Sequence, residues 1–171
     1  MPCLARRNGK MKILIAYAGK TGTTEKCAGL LAQKLPGATL CDLNVRQPDA
    51  GEYDLVVVGG SIRAGVMHRA AKRYVAGNLE KLKQCKTAFF VCSADPDRPR
   101  EMLCRNLGEP MVDAAICTDS FGGEMDIEKQ SWLWRQLMKA EQKKHPDAPK
   151  PHILPQRIDA FAQKLTEAAA Q

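Results

Sequence analysis

The residues with most chemistry to offer lie in one run, Ala16-Tyr17-Ala18-Gly19-Lys20-Thr21-Gly22-Thr23-Thr24-Glu25. An apolar stretch, Lys12–Tyr17, feeds a small hydroxyl-rich loop, and a helix opens at Thr23 or Thr24. The first turn of a helix carries N–H groups with no intrahelical acceptor, and its dipole favours negative charge. Three threonine hydroxyls and Lys20 beside such amides suit a phosphate group. The plain alternative is a strand-to-helix turn capped by Thr23 or Thr24. Spacing excludes two familiar phosphate loops. A P-loop requires glycine where Leu14 stands, and Gly19 and Gly22 do not reproduce G-x-G-x-x-G.

Two further segments carry unusual chemistry. Gly59-Gly60-Ser61-Ile62-Arg63-Ala64-Gly65-Val66-Met67-His68 combines three glycines, which let a flat ligand approach the backbone, with one arginine. His68 is either a proton donor or a solvated histidine at a helix start. Cys92-Ser93-Ala94-Asp95-Pro96-Asp97-Arg98 contains the C-x5-R skeleton of a phosphatase loop. That chemistry is disfavoured: Asp95 and Asp97 repel a phosphate dianion, no glycine is present, and Pro96 lacks an N–H. Ser93, Ala94 and Asp95 instead offer backbone amides to a ligand edge.

Strands and helices must alternate to bring these loops together. Lys12–Tyr17 is a first strand, followed by a helix over Thr24–Leu35 with Cys27, Leu30, Leu31 and Leu35 on one face. Ala38–Asp42 is a second strand. Asp54–Gly59 is a third, whose β-branched run marks a strand covered on both sides. A helix over 68–78, a short turn near Lys83, a fourth strand Thr87–Ser93, a helix Arg98–Leu107 ended by Gly108 and a fifth strand Ala114–Ser120 follow. Residues 121–153 break the rhythm with a helix over Ile127–Lys144 and prolines at 146, 149 and 151. A helix over Gln156–Ala169 closes the chain. Residues 1–10 read as a disordered extension, and 11–171 as a single domain carrying the helical, proline-rich insertion. Five strands with crossover helices imply a parallel sheet with helices on both faces.

Composition bounds the function. The chain has 171 residues, 44% of them hydrophobic, enough for one sizeable core. No segment approaches the roughly 18 apolar residues of a membrane span. Seven cysteines occur without a C-x-x-C pair, which fits thiols packed as small hydrophobes in a reducing cytoplasm and gives no metal site. The net charge of +7 points to anionic partners. The basic residues are scattered and no nucleic-acid motif accompanies them.

The first loop resembles that of flavodoxins, with Tyr17, Thr21, Gly22, Thr24 and Glu25 in register; Gly19 and Lys20 replace hydroxyl residues common there. The segment Gly-x-Ser-Ile-Arg-x-Gly at 59–65, followed by His68 and Tyr74-Val75, is similar to the bacterial menaquinone-dependent protoporphyrinogen oxidases, which are flavodoxin-like FMN enzymes. The resemblance implies a three-layer sandwich with strand order 2-1-3-4-5 and a ligand crevice at the carboxyl ends of strands one, three and four. It implies non-covalent FMN, its phosphate on Gly19, Lys20, Thr21, Gly22, Thr23 and Thr24. The ring would lie along Gly60, Ser61, Ile62, Arg63, Ala64, Gly65, Ser93, Ala94 and Asp95. Neither ring loop holds an aromatic residue, so Arg63 near the ring's N1 would stabilise an anionic reduced flavin and favour two-electron chemistry. His68 is the second candidate for tuning the flavin.

The function implied is an oxidoreductase or electron-transfer flavoprotein, with protoporphyrinogen dehydrogenation and a quinone or redox-protein acceptor as its specific form. A plain electron carrier and a flavin-free binding or regulatory module on the same fold are the alternatives. Flavodoxins tend to be acidic, whereas this chain is basic. In the oxidases a basic, aromatic segment after the fifth strand is thought to aid membrane contact. Here Trp132, Leu133, Trp134, Leu137 and Met138 lie beside Lys139, Lys143 and Lys144, which fits either an interfacial helix or one packed on its own domain. A cytoplasmic, membrane-peripheral location accommodates both.

Overall fold

The computed structural model describes residues 11–124, 131–144, 146 and 150–170. The extension over 1–10 and the expected helical start over 127–130 lie outside these residues. Five parallel strands form the sheet: β1 (Ile13–Ala18), β2 (Thr39–Asp42), β3 (Leu55–Arg63), β5 (Lys86–Cys92) and β6 (Thr118–Ser120). Their spatial order is β2-β1-β3-β5-β6, the doubly wound order expected from the sequence. A sixth short strand, β4 (Val66–Met67), pairs antiparallel with the end of β3.

Helices cover both faces. On one side α2 (Arg69–Gly77), α3 (Leu79–Leu82), α4 (Pro99–Leu107) and α5 (Glu109–Asp113) enclose a core built around Leu14, Val56, Val58, Phe89, Tyr74 and Leu103. On the other, α1 (Thr23–Lys34) and α7 (Pro155–Ala170) enclose Ile15, Val57, Phe90, Phe121, Phe161 and Leu165. The unalternated runs Leu55–Val58 and Phe89–Val91 are buried because both of their faces meet a helical layer. Phe90 stacks on Phe121 at 4.4 Å, and Phe161 meets Phe121 edge-on at 5.2 Å. This trio locks α7 and the segment after β6 onto the sheet.

Two boundaries differ clearly from the sequence reading. β3 runs four residues past Gly59 because Ala64 and Gly65, at φ 48° and 77°, close a two-residue hairpin into β4. β6 begins at Thr118 rather than Ala114. Gly108, at φ 88°, and Pro110 start the new short helix α5, which uses up the chain to Asp113. The insertion helix α6 is described over Trp132–Lys144. Both ends of the insertion join the domain: Gly122 bridges Ile153, and the Leu154 amide donates to the Phe121 carbonyl at 2.9 Å.

Candidate functional site

The β1–α1 junction presents an open helix end. Gly22 is the N-cap residue at φ 89°, and no side chain caps the helix. The first intrahelical bond runs from the Lys26 amide to the Gly22 carbonyl at 2.9 Å. The amides of Thr23, Thr24 and Glu25 therefore point out of the helix with no acceptor among the described residues. The reading of Thr23 or Thr24 as side-chain caps is not what the chain does. Thr24 is buried, and its hydroxyl has no hydrogen-bond partner, although the Cys92 thiol lies beside it.

Gly19 has a packing reason to be glycine. A Cβ there would stand 2.8 Å from both Cβ and Oγ1 of Thr24. The Thr24 side chain thus occupies the space that a residue-19 side chain would need. The Gly19 carbonyl is held by Asn44 Nδ2 at 3.2 Å, and Asn44 in turn bonds to Asp42 Oδ1 at 3.0 Å. Lys20 and Gly22 are exposed, while Thr21 is half-buried.

Glu124 reaches the same helix end from the segment after β6. The Thr23 hydroxyl donates to the Glu124 carbonyl at 3.3 Å, and Lys26 pairs with its carboxylate at 3.0 Å. Both partners of that pair are about half exposed, so it orients the segment more than it stabilises it. A Cβ on Gly123 would stand 3.2 Å from Ser93 O, and the Ser93 amide donates to the Gly122 carbonyl at 3.0 Å, so the segment after β6 lies against the Ser93 loop.

The 59–68 segment is a hairpin, where the sequence suggested an open glycine loop. Gly59 and Gly60 are buried. A Cβ on Gly59 would lie 2.0 Å from Phe90 Cζ, and one on Gly60 would lie 2.6 Å from Met67 Cε. Their missing side chains make room for core residues of the domain, a packing reason for glycine at both positions. Ser61 still pairs with Cys92 of β5, while Ile62 and Arg63 rise past the last residues paired to β1 and β5, with Ala64 and Gly65 at the tip. Asn106 of α4 fixes this hairpin, accepting from the Met67 amide at 2.9 Å and donating to the Gly65 carbonyl at 3.0 Å. Arg63 forms no ion pair among the described residues.

His68 caps α2. Its Nδ1 accepts the Ala70 amide at 3.3 Å, which places the proton of the neutral ring on Nε2. Burial, and then the nearby Arg63 charge, push its pKa below the ordinary histidine value. A neutral ring with Nδ1 committed is a capping group, and this weakens its candidacy as a proton donor.

The Ser93–Arg98 loop is pinned from α7. Arg157 donates to the Pro96 carbonyl at 2.8 Å and pairs with Asp97 at 3.3 Å and Asp119 at 3.4 Å. Ser93 is buried and its hydroxyl accepts the Asp95 amide at 3.2 Å. Asp95 pairs with Arg98 at 3.1 Å, and that bond holds its carboxyl below the usual range. Cys92 cannot serve as a phosphatase nucleophile. Its bond with Cys27 and its burial push the thiol well above the ordinary value, so the thiolate is absent at neutral pH.

The arrangement collects Gly19–Glu25, Ser61–Gly65, Ser93–Asp95 and Glu124 at the carboxyl end of the parallel strands. Sequence reasoning missed Asn44, Asn106, Arg157 and Glu124, which hold the loops in place. Only Asp42-x-Asn44, directly after a strand, carried a readable turn signal. Elsewhere, Trp132, Leu133 and Leu137 of α6 are 70%, 73% and 59% exposed. Among the described residues no helix is long and apolar enough to cross a membrane.

Comparison with known proteins agrees with this architecture. The family model described as flavodoxin domain matches residues 14–150. Protoporphyrinogen IX dehydrogenase (quinone) of Escherichia coli is 29% identical over 96 residues, which is 53% of this chain and 53% of that protein. The match thus spans about half the length of the curated relatives. A flavoprotein from Lactobacillus acidophilus NCFM, solved in complex with FMN, superimposes with TM-score 0.50 at 16% identity, covering 65% of this chain and 93% of that one. The two-electron reduced flavodoxin of Megasphaera elsdenii gives TM-score 0.49 at 16% identity, covering 63% and 84%. At such identity the first superposition supports the fold. With its strand order, its open β1–α1 junction and a family match over most of its length, the chain belongs to the flavodoxin-domain family.

Proposed function

We propose that this chain binds FMN without a covalent link and serves as an oxidoreductase or electron-transfer flavoprotein. One observation carries the reading: α1 ends in three amides without acceptors beside a buried Thr24 hydroxyl that also lacks one. Buried polar groups in folded proteins are nearly always paired, so an orphaned hydroxyl under an uncapped helix end is what a phosphate site looks like. The residues present therefore fit the cofactor.

In this reading the amides of Thr23, Thr24 and Glu25 receive the phosphate, with the Thr21 hydroxyl and Lys20 at the rim. Asn44 fixes the Gly19 carbonyl and so keeps the loop open to the anion. The Ser61–Gly65 hairpin and the Ser93–Asp95 loop bound the ring, held by Asn106 and Arg157 respectively. When bound, FMN supplies the electron transfer. Arg63 provides a positive charge for an anionic ring, and His68 contributes by fixing the start of α2 while keeping its proton on Nε2.

Titration of the protein with FMN and with riboflavin tests this. FMN fluorescence should quench at one site per chain, with riboflavin, which lacks the phosphate, bound at least tenfold more weakly. Equal affinity for the two would remove the phosphate site. No quenching by either would return the domain to a flavin-free binding or regulatory module.

The substrate reading is narrower. The Escherichia coli relatives are named for protoporphyrinogen IX and a quinone, and the Gly-x-Ser-Ile-Arg-x-Gly run at 59–65 that bounds the site resembles that family. We infer protoporphyrinogen oxidation with a quinone or redox-protein acceptor, with α6 providing the contact to a partner or membrane surface. Porphyrin fluorescence appearing above the autoxidation rate, when FMN-loaded protein meets protoporphyrinogen and a quinone, supports it. A rate equal to autoxidation leaves an electron carrier.

A further inference from the structure

Helix α2 is amphipathic with a polar face of one sign. Arg69, Lys72 and Arg73 lie along it, and no acidic residue occurs between His68 and Leu79. None of the three forms an ion pair among the described residues. Several neighbouring cations are matched: Lys81 to Asp49, Lys83 to Glu80, Arg100 to Asp113 and Arg105 to Glu101. Three unmatched cations within the first five residues of the helix attract an anion.

Beside them runs a groove of about 690 Å³ between α2 and α4. Its apolar surface comes from Val66, Met67, Val75, Ala76, Leu79 and Leu107, and its rim from the three cations. Val66 is 58% exposed and Leu79 38%, so this surface is open to water. The wall formed by the hairpin is already fixed, since Asn106 holds both the Gly65 carbonyl and the Met67 amide. Little ordering is left for a ligand to impose.

We propose that this groove binds a single-chain amphiphile with an anionic head, a long-chain carboxylate. The head sits between Lys72 and Arg73, and the chain lies along Val75, Leu79 and Leu107. Guanidinium and ammonium groups recognise carboxylates through charge-assisted hydrogen bonds. Size and charge together select the occupant. The groove has the scale of small-molecule sites, roughly 300–1,000 Å³. A neutral chain would leave the cations unmatched, and a bare inorganic anion would leave the apolar floor in water. The site is separate from the FMN crevice and stands or falls without it.

Calorimetric titration of the full chain with sodium laurate below its micellar concentration is the test, with dodecyl maltoside as the uncharged control and phosphatidylglycerol vesicles as the bilayer arm. One saturable laurate site per chain is expected, with no site for the maltoside. K72Q with R73Q should weaken laurate at least tenfold. Ala76→Trp, at an exposed position on the groove, should abolish it while FMN quenching and the circular dichroism spectrum are unchanged. In wild-type protein, amide resonances of residues 66–79 and 102–107 should shift with the same saturation, which keeps the test alive if a variant folds poorly. Absent saturation, shifts confined to other residues, or equal affinity in the double variant would overturn the proposal. So would binding to vesicles alone, which would make the face a membrane surface.

Discussion

Replacing Gly59 by alanine separates two roles for the glycines of the β3 segment. If they admit a flat ligand, the change should spare stability and weaken FMN. The packing predicts the opposite. The new Cβ would stand 2.0, 2.3 and 2.5 Å from three Phe90 ring atoms. That ring cannot withdraw, because it is fully buried, stacks on Phe121 at 4.4 Å and meets Phe161 edge-on at 6.4 Å. Overpacking of a filled core costs about 1–3 kcal/mol, and contacts this short belong at the upper end. The reduced freedom of the unfolded chain gives back roughly 0.4–1 kcal/mol. The net loss is about 2–3 kcal/mol, or about 4–12 °C in Tm for a chain of this size.

A second substitution makes the attribution specific. F90L alone should cost about 1–2 kcal/mol, as a partial core truncation. If the clash is with this ring, the double variant should lose only about 2 kcal/mol, well short of the sum, leaving a coupling of about 2 kcal/mol. Gly60→Ala meets the flexible but buried Met67 and should cost less, about 1–2 kcal/mol. Urea unfolding of the FMN-free protein followed by circular dichroism, with FMN titration of each variant, reads all four. The reasoning is wrong if Gly59→Ala stays within about 0.5 kcal/mol of wild type while FMN affinity falls tenfold.

Four more outcomes are expected. Thr24→Val should stabilise the FMN-free protein by about 1 kcal/mol by removing an unpartnered hydroxyl, and weaken FMN about tenfold; fluorescence titration and urea melts check both. Burial raises the Cys117 thiol to about 11 from 9.0. Its contribution is therefore whole below pH 9 and lost as pH climbs to about 11, so stability should fall across that window and fall less in Cys117→Ala. His68, with its pKa lowered mainly by burial, stabilises the fold above the unfolded histidine value and loses that contribution as pH drops through its own lower one. H68N keeps a capping oxygen and should flatten this mildly acidic slope in thermal melts. Arg157→Met should cost about 1–2 kcal/mol, since it loses one strong bond to a carbonyl and two partly exposed pairs. It should also weaken FMN more than inorganic phosphate, because the loop it frees bounds the ring and not the helix end.

Architecture was legible because local pattern and global fold agree. Leu55–Val58 and Phe89–Val91 announced two-sided burial, Pro36-Gly37 and Gly108 announced helix ends, and alternation fixed the parallel topology. What stayed hidden depended on tertiary contact. Ala64 gave no turn signal, since alanine at positive φ is uncommon, and the hairpin exists because Asn106 clamps both its sides. The glycines were visible as glycines, but their neighbours Phe90 and Met67 were not. Arg157 lies 60 residues from the Asp97 it holds, and no local spacing can announce such a bond. The candidate loops were thus readable, while the side chains that fix their shape were not.

The first loop shows why identity at single positions misleads. A glycine at 19 in place of a hydroxyl residue looks like a lost ligand. In the fold, Thr24 stands against that glycine, 2.8 Å from where a Cβ would be, and brings a hydroxyl to the same place from the helix side. A serine at 19 would then have to displace Thr24, which is buried and sits in the first turn of α1. Restoring the familiar residue would therefore strain the helix end whose free amides form the site. In the proposed phosphate site the Thr24 hydroxyl would stand in for the one that Gly19 lacks, while the helix N-terminus needs no particular side chain.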